Sequence, residues 1–348
     1  MRTKVLSVVF MAASMFLSAM GNGYSMTANT AEGQDSTLNV IAWFCKGDTM
    51  KYVYTTSDFS IENGDTVKKS EKLREEFMIV VTDSTKSGYT LEYSTLDIKT
   101  DTAGADDIGR GLVNTMSDYF KNQKVCFTTD EYGVITGITN WREIRDRIKG
   151  GVKIMLDSLY RTKELDSVMP RARFEALLNL KYSTEQGVMS GYEELQTLFS
   201  LHGKAFTLGR TDIDESEKDS SYTVVLCGYK PYDDYGFEGD YNISAMSTQK
   251  FSIDETLSLV GGALGLLMTD SIGEMTTKVL KDSVKEGATA TVLEDYYIFY
   301  NGWPCMMKNQ KIVDFCGRSK VTTRTLVWTY RSWREFEAKE PEASHLSL

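Results

Sequence analysis

The chain switches repeatedly between two hydrophobic periods, and this switching limits its fold more than any other feature of the sequence. Residues 89–94 alternate apolar and polar side chains, which is typical of a strand with one buried face. We expect a partner strand at 73–82, because residues 83–88 between the two favour a turn. The same arrangement recurs where 130–133 joins 125–129 to 134–138. Both regions predict antiparallel hairpins.

Helical patterns follow these strands. Apolar residues at spacings of three and four predict helices over 108–120 and 141–159, and the second has an Asn140–Glu143 capping pair at its start. Each helix has a single apolar stripe. We therefore expect two surface helices, each with one buried face.

Further helices are expected between residues 170 and 203. Pro170 can open a third helix, and Ser190 with Glu193 can cap a fourth that runs to Gly203. Successive helices of this kind predict a helical layer. Beyond it, the acidic residues 212–217 start like a calcium loop but lack its glycine and its final glutamate, so no EF-hand is predicted. A solvated loop is the favoured interpretation, and a weak cation site is the alternative.

The segment 252–287 is the least ordinary part of the chain. Ser252 and Glu255 form a capping box, and helical spacing of apolar residues continues to Leu280, which predicts one long helix near 253–286. The part at 257–268 is uncharged and contains three glycines, each of which costs about 1 kcal/mol relative to Ala. Close packing in the core would offset that cost, and contact with an apolar ligand is the alternative.

The C-terminal part returns to strands and settles the predicted fold class. Residues 289–300, 303–316 and 321–331 read as strands, and Asn301-Gly302 is a strong hairpin signal. Runs of strands separated by helices predict an α+β protein. We expect an antiparallel β-meander, an open half-barrel-like sheet with helices packed on one face.

The N terminus predicts export. Arg2 and Lys4 precede an apolar run over residues 5–20, which is shorter than the roughly 20 residues of a spanning helix. We expect a signal peptide at 1–21 and no transmembrane anchor in the mature chain. No Cys follows the apolar run directly, so the protein is expected in the periplasm or outside the cell and not as a lipoprotein.

The rest of the mature chain is expected to form one domain. Polar composition at both ends predicts a mobile linker at 22–37 and a mobile tail at 334–348, on either side of a single α+β domain at 38–333. The formal net charge of -10 disfavours nucleic acid as a partner.

The sequence carries no catalytic motif, and an enzyme is the less favoured interpretation. His202 and His345 are its two histidines, one near a predicted helix end and the other in the predicted tail. Neither fits a metal-binding helix or a histidine-based triad, so we assign no catalytic residue, metal or cofactor.

Two weak resemblances can be named. In outline, the long meander with its intervening helices is similar to the open half-barrels of periplasmic lipid and lipoprotein carriers. The stretches Phe127–Val134 and Tyr300–Pro304 resemble uncharacterised exported families of Bacteroidetes. Neither resemblance carries a functional motif, so neither assigns a site residue.

Three functional hypotheses follow. The first is a non-enzymatic binding protein that holds a lipid or another apolar or amphipathic small molecule beside the glycine-rich helix. Its ligand-binding residues would be Leu257, Val260, Gly261, Leu264, Gly265 and Met268.

The second hypothesis is an interaction module for an envelope protein or a glycan, because residues 229–241 alternate aromatic side chains with carboxylates. Its recognition residues would be Tyr232, Tyr235, Phe237 and Tyr241. The third is a hydrolase without a recognisable signature.

We predict that a bacterial host exports the protein as an unlipidated chain that begins near Asn22, because the apolar run ends in small residues suited to cleavage. Intact-mass measurement of the exported protein tests this. A chain that retains residues 1–20, or that is heavier by a diacylglycerol group, would contradict it.

Overall fold

The structure is a computed structural model. It describes residues 37–62, 65–102, 107–161, 166, 169–215, 219–227, 241–267, 278, 281, 287–300, 302–315 and 317–332. The predicted signal peptide, the C-terminal tail and all of the predicted linker except Thr37 lie outside these residues.

Antiparallel strands dominate the described residues. In chain order they are β1 (Thr37–Asn39), β2 (Thr49–Glu62), β3 (Asp65–Thr85), β4 (Gly88–Thr100), β5 (Lys124–Thr129), β6 (Ile135–Ile138), β7 (Ala205–Thr207), β8 (Gly209–Glu215), β9 (Asp219–Cys227), β10 (Tyr241–Phe251), β11 (Ala288–Tyr300), β12 (Trp303–Phe315) and β13 (Arg318–Ser332). Eleven of them form one sheet, in the order β6-β5-β4-β3-β2-β13-β12-β11-β10-β9-β8, and β1 pairs with β7 separately. The sheet therefore has β6 and β8 as its outer strands.

Six helices accompany the strands in the described part of the chain. They are α1 (Asp107–Phe120), α2 (Trp141–Leu159), α3 (Arg171–Lys181), α4 (Glu185–Met189), α5 (Glu193–Phe199) and α6 (Ile253–Leu267). The predicted α+β class and the open antiparallel sheet with packed helices are confirmed.

The predicted hairpins are present, and the first has a tighter turn than predicted. β3 and β4 pair as far as Thr85 and Gly88, so the turn is shorter than the predicted 83–88. At the β11–β12 turn Gly302 has φ +77°, and a Cβ at this position would lie 2.5 Å from the backbone nitrogen of Trp43. Glycine is required there by both the left-handed backbone and the close approach of another segment.

One face of the sheet is apolar and carries the core. Met50, Tyr52 and Tyr54 alternate along β2 and are almost completely buried. Phe77 stacks on Tyr52 at 5.4 Å between ring centroids, so the apolar face continues onto β3. This face packs against side chains of α4, α5, β7, the segment after β1 and the segment before β7. These side chains are Val40, Ala42, Phe44, Val188, Leu195, Leu198, Phe199, Leu201 and Phe206.

The predicted capping pair of α2 is wrong. Asn140 precedes the helix but makes no side-chain capping bond. Instead its Oδ1 accepts a hydrogen bond from the backbone nitrogen of Cys126 at 2.9 Å, and its Nδ2 donates to the carbonyl of Lys124 at 3.1 Å. The side chain is used to join the start of α2 to strand β5, because both groups of the amide find backbone partners there.

The predicted role of Ser190 is also wrong. Ser190 follows the end of α4, where its hydroxyl donates to the carbonyl of Gly187 at 2.7 Å, and α5 starts three residues later, at Glu193. The residue that caps α4 is Thr184, whose Oγ1 accepts from the backbone nitrogen of Gly187 at 3.1 Å. The predicted fourth helix is therefore present as α5, but it begins at Glu193 and ends at Phe199, and the short helix α4 precedes it.

The solvated loop predicted at 212–217 is also wrong in part. Its first four residues belong to the outer strand β8, and Asp212 pairs with Tyr222 of β9. The pairing shifts by one residue between Asp212 and Asp214, so this stretch is part of an irregular edge strand and not of a loop.

The capping box of α6 is confirmed. The backbone nitrogen of Ser252 donates to the Glu255 carboxylate at 2.7 Å, and that of Glu255 donates to the Ser252 hydroxyl at 3.3 Å. Thr256 is buried and its Oγ1 accepts from the backbone nitrogen of Ala288 at 3.2 Å, which attaches the start of α6 to β11. Most of the predicted continuation of this helix to residue 286 lies outside the described residues.

We predict that Asn140→Ala lowers the free energy of unfolding by about 2 kcal/mol, because two hydrogen bonds to β5 are lost at about 1 kcal/mol each. Chemical denaturation measures this. Asn114→Ala is the matched control, since Asn114 is exposed within α1 and Ala favours a helix. Equal destabilisation of the two variants would contradict a role for the Asn140 bridge.

Candidate ligand-binding groove

A groove with a volume of about 730 Å³ lies between the outer strand β6 and helices α4 and α5. It is lined by Val134, Ile135, Thr136, Gly137, Thr184, Glu185, Gln186, Met189, Gln196, Phe199, Ser200, His202 and Lys204. The sheet edge therefore forms one wall and the two short helices form the other.

Glu185 joins the two walls. It lies in the first turn of α4, and its Oε1 accepts a hydrogen bond at 2.5 Å from the backbone nitrogen of Ile138 in β6. The carboxylate thus takes the place of a neighbouring strand's carbonyl. A Cβ at Gly137 would lie 2.8 Å from the same oxygen, so the glycine leaves space for this contact.

The groove rests on an aromatic cluster at the end of α5. Phe199 lies 5.4 Å from Phe127 and 5.3 Å from the His202 ring, between centroids, and Phe44 lies 5.7 Å from the same imidazole. Phe199 and His202 are both buried. The inner end of the groove is therefore formed by closely packed rings.

His202 is neutral at neutral pH. Burial lowers its pKa to about 4, against a smaller opposing effect of hydrogen bonds to backbone groups. Its Nε2 lies 2.9 Å from the carbonyl oxygen of Gly302, and a neutral imidazole must carry its hydrogen on Nε2 to donate there. His202 thus ties the α5 region to the β11–β12 turn.

A buried acidic cluster lies beneath the start of α5. The hydroxyl oxygen of Tyr93 in β4 is 2.5 Å from Oε1 of Glu75 in β3 and 2.9 Å from Oε1 of Glu194 in α5. Thr95 donates from Oγ1 to the same Glu75 oxygen at 3.2 Å. We call Glu75, Tyr93, Thr95 and Glu194 the carboxyl cluster.

Burial is the main cause of the unusual proton affinities in the carboxyl cluster. It raises the pKa of Glu75, and it raises the pKa of Glu194 well above the usual value, with a further contribution from the charge of Glu75. Hydrogen bonds have a smaller, opposing effect on both pKa values: they come from Tyr93 and Thr95 to Glu75, and from the backbone and Tyr93 to Glu194.

The adjacent acid of α5 has a different environment. Glu193 forms an ion pair with Arg324 of β13 at 2.9 Å and accepts a hydrogen bond from the Tyr54 hydroxyl at 3.3 Å. Lys311 of β12 is also buried, and burial followed by the charge of Arg324 lowers its pKa to about 8. Glu193 thus faces a cation, whereas the next residue, Glu194, shares the Tyr93 hydroxyl with a second carboxyl.

The six residues proposed from sequence are in or next to α6, and the described ones among them, Leu257 and Gly261, do not line the groove. Leu257 and Gly261 are half-buried, and Gly262 beside them is exposed, with no atom of the described residues within 4 Å of a hypothetical Cβ. Close packing against the described part of the chain therefore does not explain Gly262. Val260, Leu264 and Gly265 belong to α6 but their surroundings, like Met268, lie outside the described residues. A ligand site beside α6 stays a prediction.

The aromatic recognition segment is mostly outside the described residues, which is the case for Tyr232, Tyr235 and Phe237. Tyr241 begins β10 and is half-buried against the core.

Sequence reasoning missed the groove and the carboxyl cluster. Their residues come from segments far apart in the chain, and Glu193-Glu194 looks like an ordinary acidic first turn of a helix. A usable signal was the alternation along β4, which directs Tyr93 to the same face as the apolar Leu91.

No protein-family model matches the sequence, and no curated protein matches it either. Among solved structures, the chain is similar to lipovitellin, whose structure is described in terms of its lipid-protein interactions. The identity is 11% and the TM-score is 0.33, over 83% of this chain and 26% of the lipovitellin chain. The chain thus spans about a quarter of that protein.

Two further solved structures match with lower TM-scores. Ail, the attachment invasion locus protein of Yersinia pestis, in complex with the heparin analogue sucrose octasulfate, matches at 6% identity and a TM-score of 0.15, over 83% of this chain and 100% of that one. An outer membrane channel from Pseudomonas putida F1 matches at 10% identity and a TM-score of 0.15, over 86% of this chain and 100% of that one. TM-scores this low carry no argument about function. The resemblance to exported families of Bacteroidetes stays a prediction, since no family model matches.

Within the described residues, no helix has the length and apolar character needed to cross a membrane. What the described structure defines is an α+β protein with an open antiparallel sheet and a groove at one of its edges.

We predict that the neutral His202 stabilises the fold above about pH 6.5 and that this contribution, about 3 kcal/mol, is lost as pH falls towards 4. The sign follows because the folded pKa lies below the unfolded one, so the unfolded chain binds the proton more tightly. Unfolding of wild type and His202→Gln at pH 7 and at about pH 4.5 measures it. A stability difference that does not change with pH would contradict the buried neutral state.

Proposed function

We propose that this is a non-enzymatic binding protein that holds an amphipathic small molecule. The supporting observation is the groove between β6 and the helices α4 and α5. Its volume, about 730 Å³, is within the range of roughly 300–1,000 Å³ found for small-molecule sites. Ile135, Met189 and Phe199 supply apolar contact, whereas Gln186 and Lys204 add polar groups. Such a lining favours a ligand with an apolar body and a polar end.

Binding is favoured over catalysis because the reactive groups of the groove already have structural partners. The Ser200 hydroxyl donates to the carbonyl of Thr197 at 2.8 Å, and the Glu185 carboxylate accepts from the backbone of Ile138. His202 is neutral, buried and bonded to Gly302. An activated nucleophile needs a base within hydrogen-bond reach, and these three side chains are used otherwise.

We infer from the signal-like N terminus that this binding takes place in the periplasm or outside the cell. A lipid is a suitable ligand class, since an acyl chain buried in the groove would gain about 25 cal/mol per Å² of apolar surface. The sequence-based site beside α6 is the second location to test, because the open position of Gly262 leaves room at that helix.

We predict that Met189→Lys weakens binding of an uncharged naphthalene fluorophore by about tenfold or more, because it places a charge in the apolar lining. Fluorescence titration measures the affinity. Leu180→Lys is the matched control, since Leu180 lies on α3, is 71% exposed and does not line the groove.

The variant Gly265→Leu distinguishes the two locations. Unchanged affinity in Gly265→Leu together with weak binding in Met189→Lys places the ligand in the groove. The reverse pattern places it beside α6, and an absence of bound probe and of copurified lipid in the wild type would refute the binding hypothesis.

A further inference from the structure

We propose that the carboxyl cluster is a proton-controlled latch that holds α5 in place and thereby regulates the groove. With a shared proton between Glu75 and Glu194, α5 is held on the sheet and the groove is formed. Loss of that proton at higher pH releases the start of α5 and weakens ligand binding. The regulatory part rests on the proposed function of the groove.

The geometry requires at least one proton on the two carboxyls. The Tyr93 oxygen lies within hydrogen-bond distance of both, at 2.5 Å from Glu75 and 2.9 Å from Glu194, but a phenol has a single hydrogen to donate. If Tyr93 donates to one carboxylate, the second contact is a hydrogen bond only when the other carboxyl is protonated and donates to the phenol oxygen. If both carboxylates were ionised, the Tyr93 oxygen would face one carboxylate oxygen with no hydrogen between them.

Thr95 does not remove this requirement. Its hydroxyl donates to Glu75 at 3.2 Å and lies 3.4 Å from the Tyr93 oxygen, so its single hydrogen is directed to the β3 side of the cluster. Apart from a backbone hydrogen bond within its own residue, Glu194 has only its contact with Tyr93 to support a charge, and it is 5% exposed. A buried carboxylate without sufficient donors is strongly disfavoured.

The charged and titratable groups around the cluster do not neutralise a second negative charge. On the helix side are Tyr192 and Glu193, and the sheet contributes Tyr54, Lys311 and Arg324. The guanidinium of Arg324 is already paired with Glu193. Arg147 of α2 and Tyr182 influence Tyr192 from the outer side.

Helix α5 connects the cluster to the groove. Glu194 is in its first turn, and Gln196 and Phe199 further along the same helix line the groove. The helix has seven residues, so its position depends on tertiary contacts more than on its own hydrogen bonds. A repulsive charge at its start would therefore shift or loosen the wall that the ligand contacts.

The direction of the pH effect follows from the raised carboxyl pKa values. The folded state binds the shared proton more tightly than the unfolded chain does, so its contribution to stability is complete below the unfolded pKa and is lost as pH rises through the folded pKa. This is opposite to the effect of His202, which acts on the acidic side.

Titration of the uncharged naphthalene fluorophore from about pH 6 to about pH 9 tests the proposal. We expect wild-type affinity to fall with rising pH, by up to about tenfold per pH unit for one linked proton. The double variant Glu75→Gln/Glu194→Gln should bind with little pH dependence, because its amides cannot ionise. Glu143→Gln, an exposed first-turn acid of α2, is the matched control and should behave like wild type.

Amide hydrogen exchange over residues 192–200 separates this proposal from the proposed function. Faster exchange at high pH in wild type, beyond the intrinsic increase and absent from the double variant, supports the latch even if no probe binds. Exchange in α5 that responds to pH equally in wild type and double variant overturns the latch, whatever the probe shows. If the double variant does not fold, the same comparison with Glu194→Gln applies, because one remaining carboxyl can ionise with Tyr93 and Thr95 as donors, and an unchanged pH response in that variant also overturns the latch.

Discussion

The packing of α5 on the apolar face of the sheet is the contact on which the arrangement around the groove depends. Leu195, Leu198 and Phe199 bury the apolar side of this short helix, while its first turn places Glu194 into the same interior. Apolar burial attracts α5 to the sheet. The protonated carboxyl cluster allows this packing, and its ionised form opposes it. The position of the helix is therefore set by packing and by proton binding together.

The groove results from the way the sheet ends. An outer strand leaves backbone groups without a neighbouring strand, and proteins commonly cover such edges. Here Glu185 of α4 supplies an acceptor to Ile138, so helix and strand are joined at one point and separated elsewhere. The space between them is wide enough for a small molecule because the helices contact the edge through a side chain and not through continuous backbone pairing.

The interior of this protein is chemically uneven. Near the β11–β12 turn, rings of Phe44, Phe199 and His202 pack closely and keep the imidazole neutral. Beneath the start of α5, polar groups share hydrogen atoms among carboxyl and hydroxyl oxygens, and on the other side Glu193 meets Arg324. These three environments lie against one helix. Its attachment is therefore weakened at low pH, where His202 gains a proton, and at high pH, where the carboxyl cluster loses one.

Local sequence patterns determined most of the fold. Alternation along β4, the turn at Gly302 and the Ser252–Glu255 capping box depend on neighbours within a few residues, so the α+β class, the main hairpins and the start of α6 could be predicted. Tertiary structure decided the rest. Asn140 bonds to β5 in place of its own helix, Ser190 ends one helix instead of starting another, and Glu75 meets Glu194 across more than a hundred residues of chain. A sequence pattern records which side chains can be buried, but the partner of a buried polar group is chosen by long-range packing, because its hydrogen bonds must be satisfied by whatever the fold brings beside it.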